Sequence, residues 1–238
     1  MIYKSGKRLA QCNMDFDALL LTDLHLQNEP VLHLYDWEKD SITYGYFFKP
    51  ERWLNLEFLK NQGVDLARRP TGGGCVFHMC DFAFSILIPA SYPAFSLNTL
   101  ENYAFINRMV ITVLRRFLLG NPQFKLLSEE TPPKEGAFTH FCMAKPTKYD
   151  VMLDGKKVAG AAQRKTKEGY LHQGTIFLTK MAEPFLRDLL SVRVVADGIR
   201  DNSFPLLEGS PTTEEILSAR KTLSTLFEDV FLETVQQE

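Results

Sequence analysis

Residues Arg68–Ser85 read RRPTGGGCVFHMCDFAFS. Two arginines and a proline lead into three consecutive glycines, and a run rich in apolar residues follows. Glycine within a strand-like segment offers nothing to pack and costs conformational entropy. Three in a row therefore mark either a flexible bulge between strands or a bare backbone against which something lies. The triplet lacks the Gly-Lys-Ser/Thr ending of a P-loop, and it lacks the GxGxxG spacing and following helix of a dinucleotide fold. Strand alternation turns only one of Arg68 and Arg69 toward a given face, where a guanidinium is suited to a phosphate or a carbonyl.

The surroundings of this stretch read as a mixture of strands and helices. Upstream, VLHLYDW, SITYGYF and VDLARRP are strand-like, the last ending at Pro70. Asn13 is placed to cap a helix over Met14–His25 with Leu19, Leu20 and Leu24 on one face, and a short helix is expected from Trp53 to Lys60. Downstream, Cys75–Pro89 predicts one long strand region. Leu97–Leu119 is apolar at helical spacing, with Asn98 as its start and Gly120 as its stop. Residues 121–140 show no clear periodicity and read as a long loop. KYDVML and KKVAGAAQRKT are joined by Asp154-Gly155, a strong hairpin signal, and YLHQGTIFLT follows as a third strand. A helix is expected near Glu183–Leu190, and another opens at the capping box Thr212–Glu215. The pattern predicts a single α/β domain over 1–238, with a helical C-terminal part at 182–238.

The composition is that of an ordinary globular chain, 45% hydrophobic and 24% charged over 238 residues. A net charge of -2 gives no polybasic footprint for nucleic acid, and no apolar run reaches the ~20 residues of a membrane span. The N-terminal MIYKSGKRLAQCN lacks the apolar centre of an export signal. Cys12, Cys75, Cys80 and Cys142 form no C-x-x-C pair and are expected as free thiols in a reducing cytoplasm. His78, His140 and His172 have no metal-ligand spacing, so no metal is expected.

A second informative segment is FCMAKPTKYDVMLDGKKVAGAAQRKTKEGYLHQGTIFL, residues 141–178. Gly160-Ala161-Ala162 places three small residues inside a strand, which again implies a close approach. Lys157 stands three positions earlier. On a regular strand the two would face opposite ways, and a bulge would change that. A lysine over a small-residue floor can direct its ammonium at developing negative charge; a surface lysine is the plainer alternative. Cys142 lies near Lys145, Lys148 and Lys157, and neighbouring cations raise the thiolate fraction. A thiolate attacks thioesters and forms acyl-enzymes. Cys75 and Cys80 sit in apolar surroundings and read as small buried hydrophobes.

Taken together, RRPTGGGCVFH and DGKKVAGAAQRK followed by LHQGTI resemble the catalytic domain shared by lipoate–protein ligases and octanoyltransferases, with biotin protein ligases as more distant relatives. The resemblance covers about Asp36–Lys180. It implies a mixed β-sheet flanked by helices, and an acyl chain in a tunnel between the glycine motif and the small-residue strand. It implies that Lys157 contacts the acyl carbonyl. It assigns substrate binding to Arg68, Arg69, Thr71, Gly72, Gly73, Gly74, Val76 and His78 of the first motif, and to Gly160, Ala161, Ala162, Gln163 and Gly174 of the second.

The family holds two chemistries. Ligases activate free lipoate with ATP and Mg. Octanoyltransferases take octanoate from the phosphopantetheine arm of acyl carrier protein through a cysteine thioester, with no bound cofactor. Both modify a lysine of a lipoyl domain, as in the glycine cleavage H protein or a 2-oxoacid dehydrogenase E2. CMAKPTKYD resembles the nucleophile segment of the ligase-like octanoyltransferases, which makes Cys142 the expected nucleophile, and ITYGYFF resembles the transferases' corresponding stretch. The chain departs from the transferase pattern at Phe48, Gly74, Met79 and His172-Gln173. Octanoyl transfer is thus the leading expectation, ATP-dependent lipoate ligation the alternative and an acyl-binding homologue without catalysis the third. Lysines 145, 148, 165 and 167 are candidates for a rim that docks acidic partners.

Overall fold

The structure, a computed structural model, describes residues 1–120, 122–129, 141 and 144–237. In chain order the elements are β1 (Ile2–Arg8), α1 (Ala10–Thr22), β2 (Val31–Trp37), β3 (Ser41–Tyr44), α2 (Leu56–Asn61), β4 (Asp65–Arg68), β5 (Cys75–Phe77), β6 (Asp81–Pro89), α3 (Thr99–Phe117), β7 (Lys125–Leu126), β8 (Val151–Leu153), β9 (Lys156–Thr166), β10 (Gly169–Phe177), α4 (Glu183–Leu189), α5 (Val194–Asn202) and α6 (Thr213–Gln237).

Among the described residues the strands form a seven-stranded sheet, β1-β2-β6-β10-β9-β8-β7, and a three-stranded sheet, β4-β3-β5. Both are mixed: β1/β2 and β3/β4 run parallel and the other pairs antiparallel. Helices α3 and α6 cover one face of the large sheet. Their apolar stripes, among them Ile106, Val110 and Leu114 with Leu223, Phe227 and Phe231, meet Phe82, Phe84 and Ile86 of β6 in the main core. A second core joins the small sheet to α4 and α5 through Phe77, Phe141, Phe177, Leu186 and Ile199.

Local chemistry accounts for several boundaries. Asn98 Oδ1 accepts from Leu100 N at 3.1 Å and caps α3, and Gly120 follows that helix with φ +96°. Asp154 and Gly155 both take positive φ, as a tight β8–β9 hairpin turn requires. Thr212 and Glu215 cap α6 reciprocally, Glu215 Oε2 accepting from Thr212 N at 2.7 Å and Glu215 N donating to Thr212 Oγ1 at 3.2 Å.

Three expectations are corrected. Cys75–Pro89 is not one strand. The chain leaves β5 of the small sheet, turns at His78–Cys80 and enters β6 of the large one. Apolar runs look alike in either sheet, so periodicity alone does not reveal the change. The cap of α1 falls at Leu9, because Asn13 is buried inside the helix and donates from Nδ2 to Asp36 O at 3.1 Å. Its inward face is accordingly Ala10, Asn13, Met14, Asp17 and Leu21, while Leu19 is exposed. Strand β1 was not anticipated, since its sequence IYKSGKR is mostly polar, as suits a sheet edge.

Candidate active site

A narrow cavity of about 30 Å³ lies between the two sheets. Its walls are Met14 of α1, Tyr35 of β2, Thr43 of β3, Arg69, Val76 and His78 from the opening motif, Lys157 and Gly160–Ala162 of β9, and Gln173, Gly174, Thr175 and Phe177 of β10. Of these, Ala161 and Ala162 are half-buried and the rest are buried. The two alanines are thus the part of the wall nearest solvent, and the next residue on β9, Gln163, lines a separate outer groove with Tyr46, Phe47, Pro70, Gly72 and Arg164.

Lys157 reaches the cavity because of a bulge. Val151 pairs with Ala159, but Met152 pairs with Lys157, which leaves Val158 as the extra residue. The bulge rotates Lys157 onto the side of Gly160. Its Nζ lies 2.7 Å from Asp150 Oδ2, and both side chains are 3% exposed. Asp150 Oδ2 also accepts from Thr147 N at 2.7 Å and Thr147 Oγ1 at 3.0 Å. Burial raises the Asp150 pKa, against the lowering effect of Lys157 and Thr147.

The small residues turn out to serve different neighbours. A Cβ at Gly160 would lie under 3.0 Å from Lys157 Cε and Nζ, so this glycine makes the berth for the lysine's own side chain. A Cβ at Gly174 would strike the ring of Phe84, so its missing side chain serves core packing, while the residue also lines the cavity. At the triplet the position that close approach keeps bare is Gly45, which packs on the triplet's backbone, whereas a Cβ at Gly72 would meet open space. A Cβ at Gly45 would collide with Gly72 C and Gly73 O, Gly45 N donates to Gly74 O at 3.0 Å and Tyr46 N donates to Thr71 O at 2.9 Å. Gly73 has φ +88°, a conformation that favours glycine.

The two arginines part as alternation requires. Arg69 is buried, and its guanidinium donates to Thr43 O and Thr43 Oγ1 at 2.9 Å, Gly72 O at 3.1 Å and Gly74 O at 2.9 Å. The fork thus clamps the glycine loop to β3. Arg68 is exposed and stacks over the Tyr46 ring at 4.7 Å, beside the outer groove and outside the cavity wall.

Sequence reasoning named His78 but missed Thr43, Asp81 and Asp17, the partners that organise it and its neighbours. His78 Nδ1 is 2.7 Å from Asp81 Oδ2, its Nε2 is 2.7 Å from Thr43 Oγ1, and its ring stacks on Trp37 at 4.2 Å. Thr43 Oγ1 already accepts from Arg69. His78 thus links the Asp81 carboxylate, at Nδ1, to the Thr43 hydroxyl, at Nε2. Thr175 Oγ1 also donates to Asp81 Oδ2. At the other end, Thr71 Oγ1 donates to Gln173 Oε1 at 2.7 Å, and Gln173 Nε2 donates to Asp17 Oδ2 at 2.6 Å. Asp17 further meets Ser85 Oγ at 2.6 Å and His33 Nδ1 at 2.7 Å. Polar residues recurring at alternate positions, Thr43 on β3 and Gln173 and Thr175 on β10, were the available signal.

Gln163 lies in the outer groove and is 2.8 Å from His172 Nδ1. His172 is fully buried, and burial drives its pKa down to about 3. Cys80 is pushed up to about 11 by burial, with Asp81 and Asp40 adding to the effect. Cys142 lies outside the described residues. The nearest described neighbours are Phe141, which bridges to Cys75 and belongs to the core that contains Phe177, and Ala144, whose N donates to Phe141 O at 2.9 Å. Of the proposed docking lysines, Lys165 donates to Leu97 O and Lys167 meets Glu168 at 3.3 Å.

A mixed sheet flanked by helices encloses a narrow cavity, with the buried Lys157 on one wall and Arg69, Val76 and His78, which flank the glycine triplet, on another, and this is a fold of the lipoate-protein ligase kind. The chain belongs to the family of the lipoyl protein ligase A/B catalytic domain, whose model matches residues 10–195. It is 30% identical over 190 residues to the octanoyltransferase LipM of Lysinibacillus sphaericus, covering 76% of this chain and 67% of that protein. Its fold is similar to a T. acidophilum protein of the lipoate protein ligase type solved with lipoic acid, at TM-score 0.66 and 20% identity over 99% of this chain and 94% of that one. It is similar also to a lipoate-protein ligase A bound with ATP, at TM-score 0.65 and 20% identity over 97% and 93% of the two chains. Among the described residues no helix is long and apolar enough to cross a membrane.

Proposed function

We propose that this protein is a cytoplasmic octanoyltransferase of protein lipoylation. It takes an octanoyl (or lipoyl) group from the phosphopantetheine thioester of acyl carrier protein and delivers it to a lysine of a lipoyl domain. The reading is carried by Lys157, held by Asp150 in the buried cavity of a chain whose relative is an octanoyltransferase. The Cys142 thiolate attacks the thioester carbonyl. The oxyanion forms beside the Lys157 ammonium, the C–S bond to the carrier breaks, and the carrier leaves as a thiolate that takes up a proton. The neutral ε-amine of the acceptor lysine then attacks the Cys142 thioester. An amide forms, the amine loses a proton, and the Cys142 thiolate is regenerated. The stored energy of the thioester drives both steps.

Incubation with octanoyl-carrier protein in the absence of ATP tests this directly. Intact mass should show one octanoyl adduct on the wild type and none on Cys142→Ala. An adduct-free wild type, together with a Cys142→Ala protein that still modifies a lipoyl domain from lipoate and ATP, would establish ligation instead. Failure of both reactions would leave an acyl-binding protein.

A further inference from the structure

The seven-stranded sheet is split at one corner. β2 and β6 pair only from Val31↔Leu87 to Leu34↔Phe84. Beyond that point β2 keeps its partner β1 through Trp37, and β6 keeps its partner β10 through Asp81. The two strands diverge around a cavity of about 260 Å³. Arg220 of α6 lines this gap with only 18% of its side chain exposed. Its Nε donates to Asp81 O at 2.8 Å, its Nη1 meets Asp36 Oδ1 at 3.2 Å, and its Nη2 lies 3.5 Å from Met79 O.

Met79 and Asp81 bracket the turn between the two sheets, and that turn carries His78 into the active-site cavity. On the active-site side, Asp81 Oδ2 holds His78 Nδ1, and His78 reaches Arg69 through Thr43. A planar fork with several donors can grip two carbonyls of one turn, which a lysine cannot do with equal geometry. Arg220 also lies beyond the family-matched segment of residues 10–195, so the sequence motifs give no hint of it.

We propose that Arg220 is a positioning residue for His78: from the C-terminal helix it clamps the Met79–Asp81 turn and thereby fixes the Asp81–His78–Thr43–Arg69 chain that shapes the glycine loop. The kinetic part of its test rests on the octanoyl-transfer reading, and the spectroscopic part does not.

The test uses the full chain with Arg220→Met, Arg220→Lys and His78→Gln, singly and as the Arg220→Met/His78→Gln double variant. The first readout is the exchange rate of the His78 Nδ1 proton by NMR, with His78→Gln assigning the signal among the five histidines. Arg220→Met should speed that exchange tenfold or more, and Arg220→Lys should restore part of the protection. The second readout is transfer to a lipoyl domain. Arg220→Met should lower kcat about tenfold with the acceptor KM within twofold, and it should cause no further loss in the His78→Gln background. Unchanged His78 exchange in a folded Arg220→Met protein overturns the proposal. So does a kcat loss that recurs in full in the His78→Gln background, because Arg220 would then act independently of His78. A wild type inactive in transfer but with Arg220-dependent His78 exchange refutes the octanoyl-transfer reading while leaving the positioning role standing.

Discussion

Gly160→Ala separates two roles for the small-residue strand. If Gly160 is a berth for Lys157, the new methyl displaces the lysine's far end, because a Cβ there would fall under 3.0 Å from Cε and Nζ. The flexible lysine tip would retreat by about 1 Å to regain ordinary contact. For an oxyanion at about 2.8 Å from the ammonium and an effective dielectric near 20, that retreat costs roughly 1.6 kcal/mol of attraction. The corresponding loss in kcat is roughly ten- to twentyfold. Global stability should change little, since a long side chain moves more easily than backbone and alanine also lowers the entropy of the unfolded chain. If Gly160 is instead a floor for the acyl chain, the methyl shortens or narrows the tunnel.

The assay is transfer from carrier-bound acyl donors of four, six and eight carbons, read by intact mass of the acceptor. The berth predicts the same fractional loss of kcat for every chain length, and no additional loss when Gly160→Ala is combined with Lys157→Ala. The floor predicts a rise in KM confined to the longer donors. A Gly160→Ala enzyme within twofold of the wild type on all three donors would refute the reasoning outright.

Three further outcomes follow from the same geometry. Arg69→Lys removes a buried fork that serves Thr43, Gly72 and Gly74. It should cost about 2–3 kcal/mol and lower Tm by roughly 5–10 °C, which a thermal melt will show. His172 is held neutral in the fold down to about pH 3, against an ordinary value of 6.5. Its favourable contribution is complete above 6.5 and is lost as pH falls toward 3, because the unfolded chain binds a proton that the native ring refuses. His172→Gln should therefore remove a slope of up to about 1.4 kcal/mol per pH unit from urea-unfolding stability over that window, and an unaltered slope would contradict the assignment. Asp150→Asn takes away the carboxylate 2.7 Å from Lys157, and should slow transfer while tightening the binding of free octanoate, measured by calorimetry at neutral pH.

What was readable in the sequence was local. The hairpin at Asp154-Gly155, the Asn98 start of α3 and the Thr212–Glu215 box each depend on residues within a few positions, and each lies where it was expected. What was not readable depends on partners distant in the chain. The break at His78–Cys80 is invisible because strands of both sheets are apolar there. Asn13 has the chemistry of a helix cap but is taken up by Asp36 O. Lys157 and Gly160 were recognised as a pair, yet their relation depends on a bulge at Val158 that only the pairing with β8 creates. Arg220 reaches the site from more than a hundred residues beyond the turn it clamps, and nothing in its surrounding helix distinguishes it from a surface arginine.

The charges around the cavity bear on which acyl donor suits it. Lys157 is matched to Asp150, and Arg69 is engaged with the carbonyls of the glycine loop. His78 is held between Asp81 and Thr43. A free carboxylate entering this space would bring a negative charge into a buried site whose cations already have partners, and burial of such a charge is costly. A thioester enters uncharged. Its carbonyl gains from the ammonium only as the oxyanion develops, which is where an interaction accelerates reaction rather than merely tightening binding. Lys157 can then lean from Asp150 toward the oxyanion without leaving its berth over Gly160. In the proposed transfer, Asp150 holds the cation ready for the transition state, and a neutral thioester donor meets a smaller burial cost than a free acid.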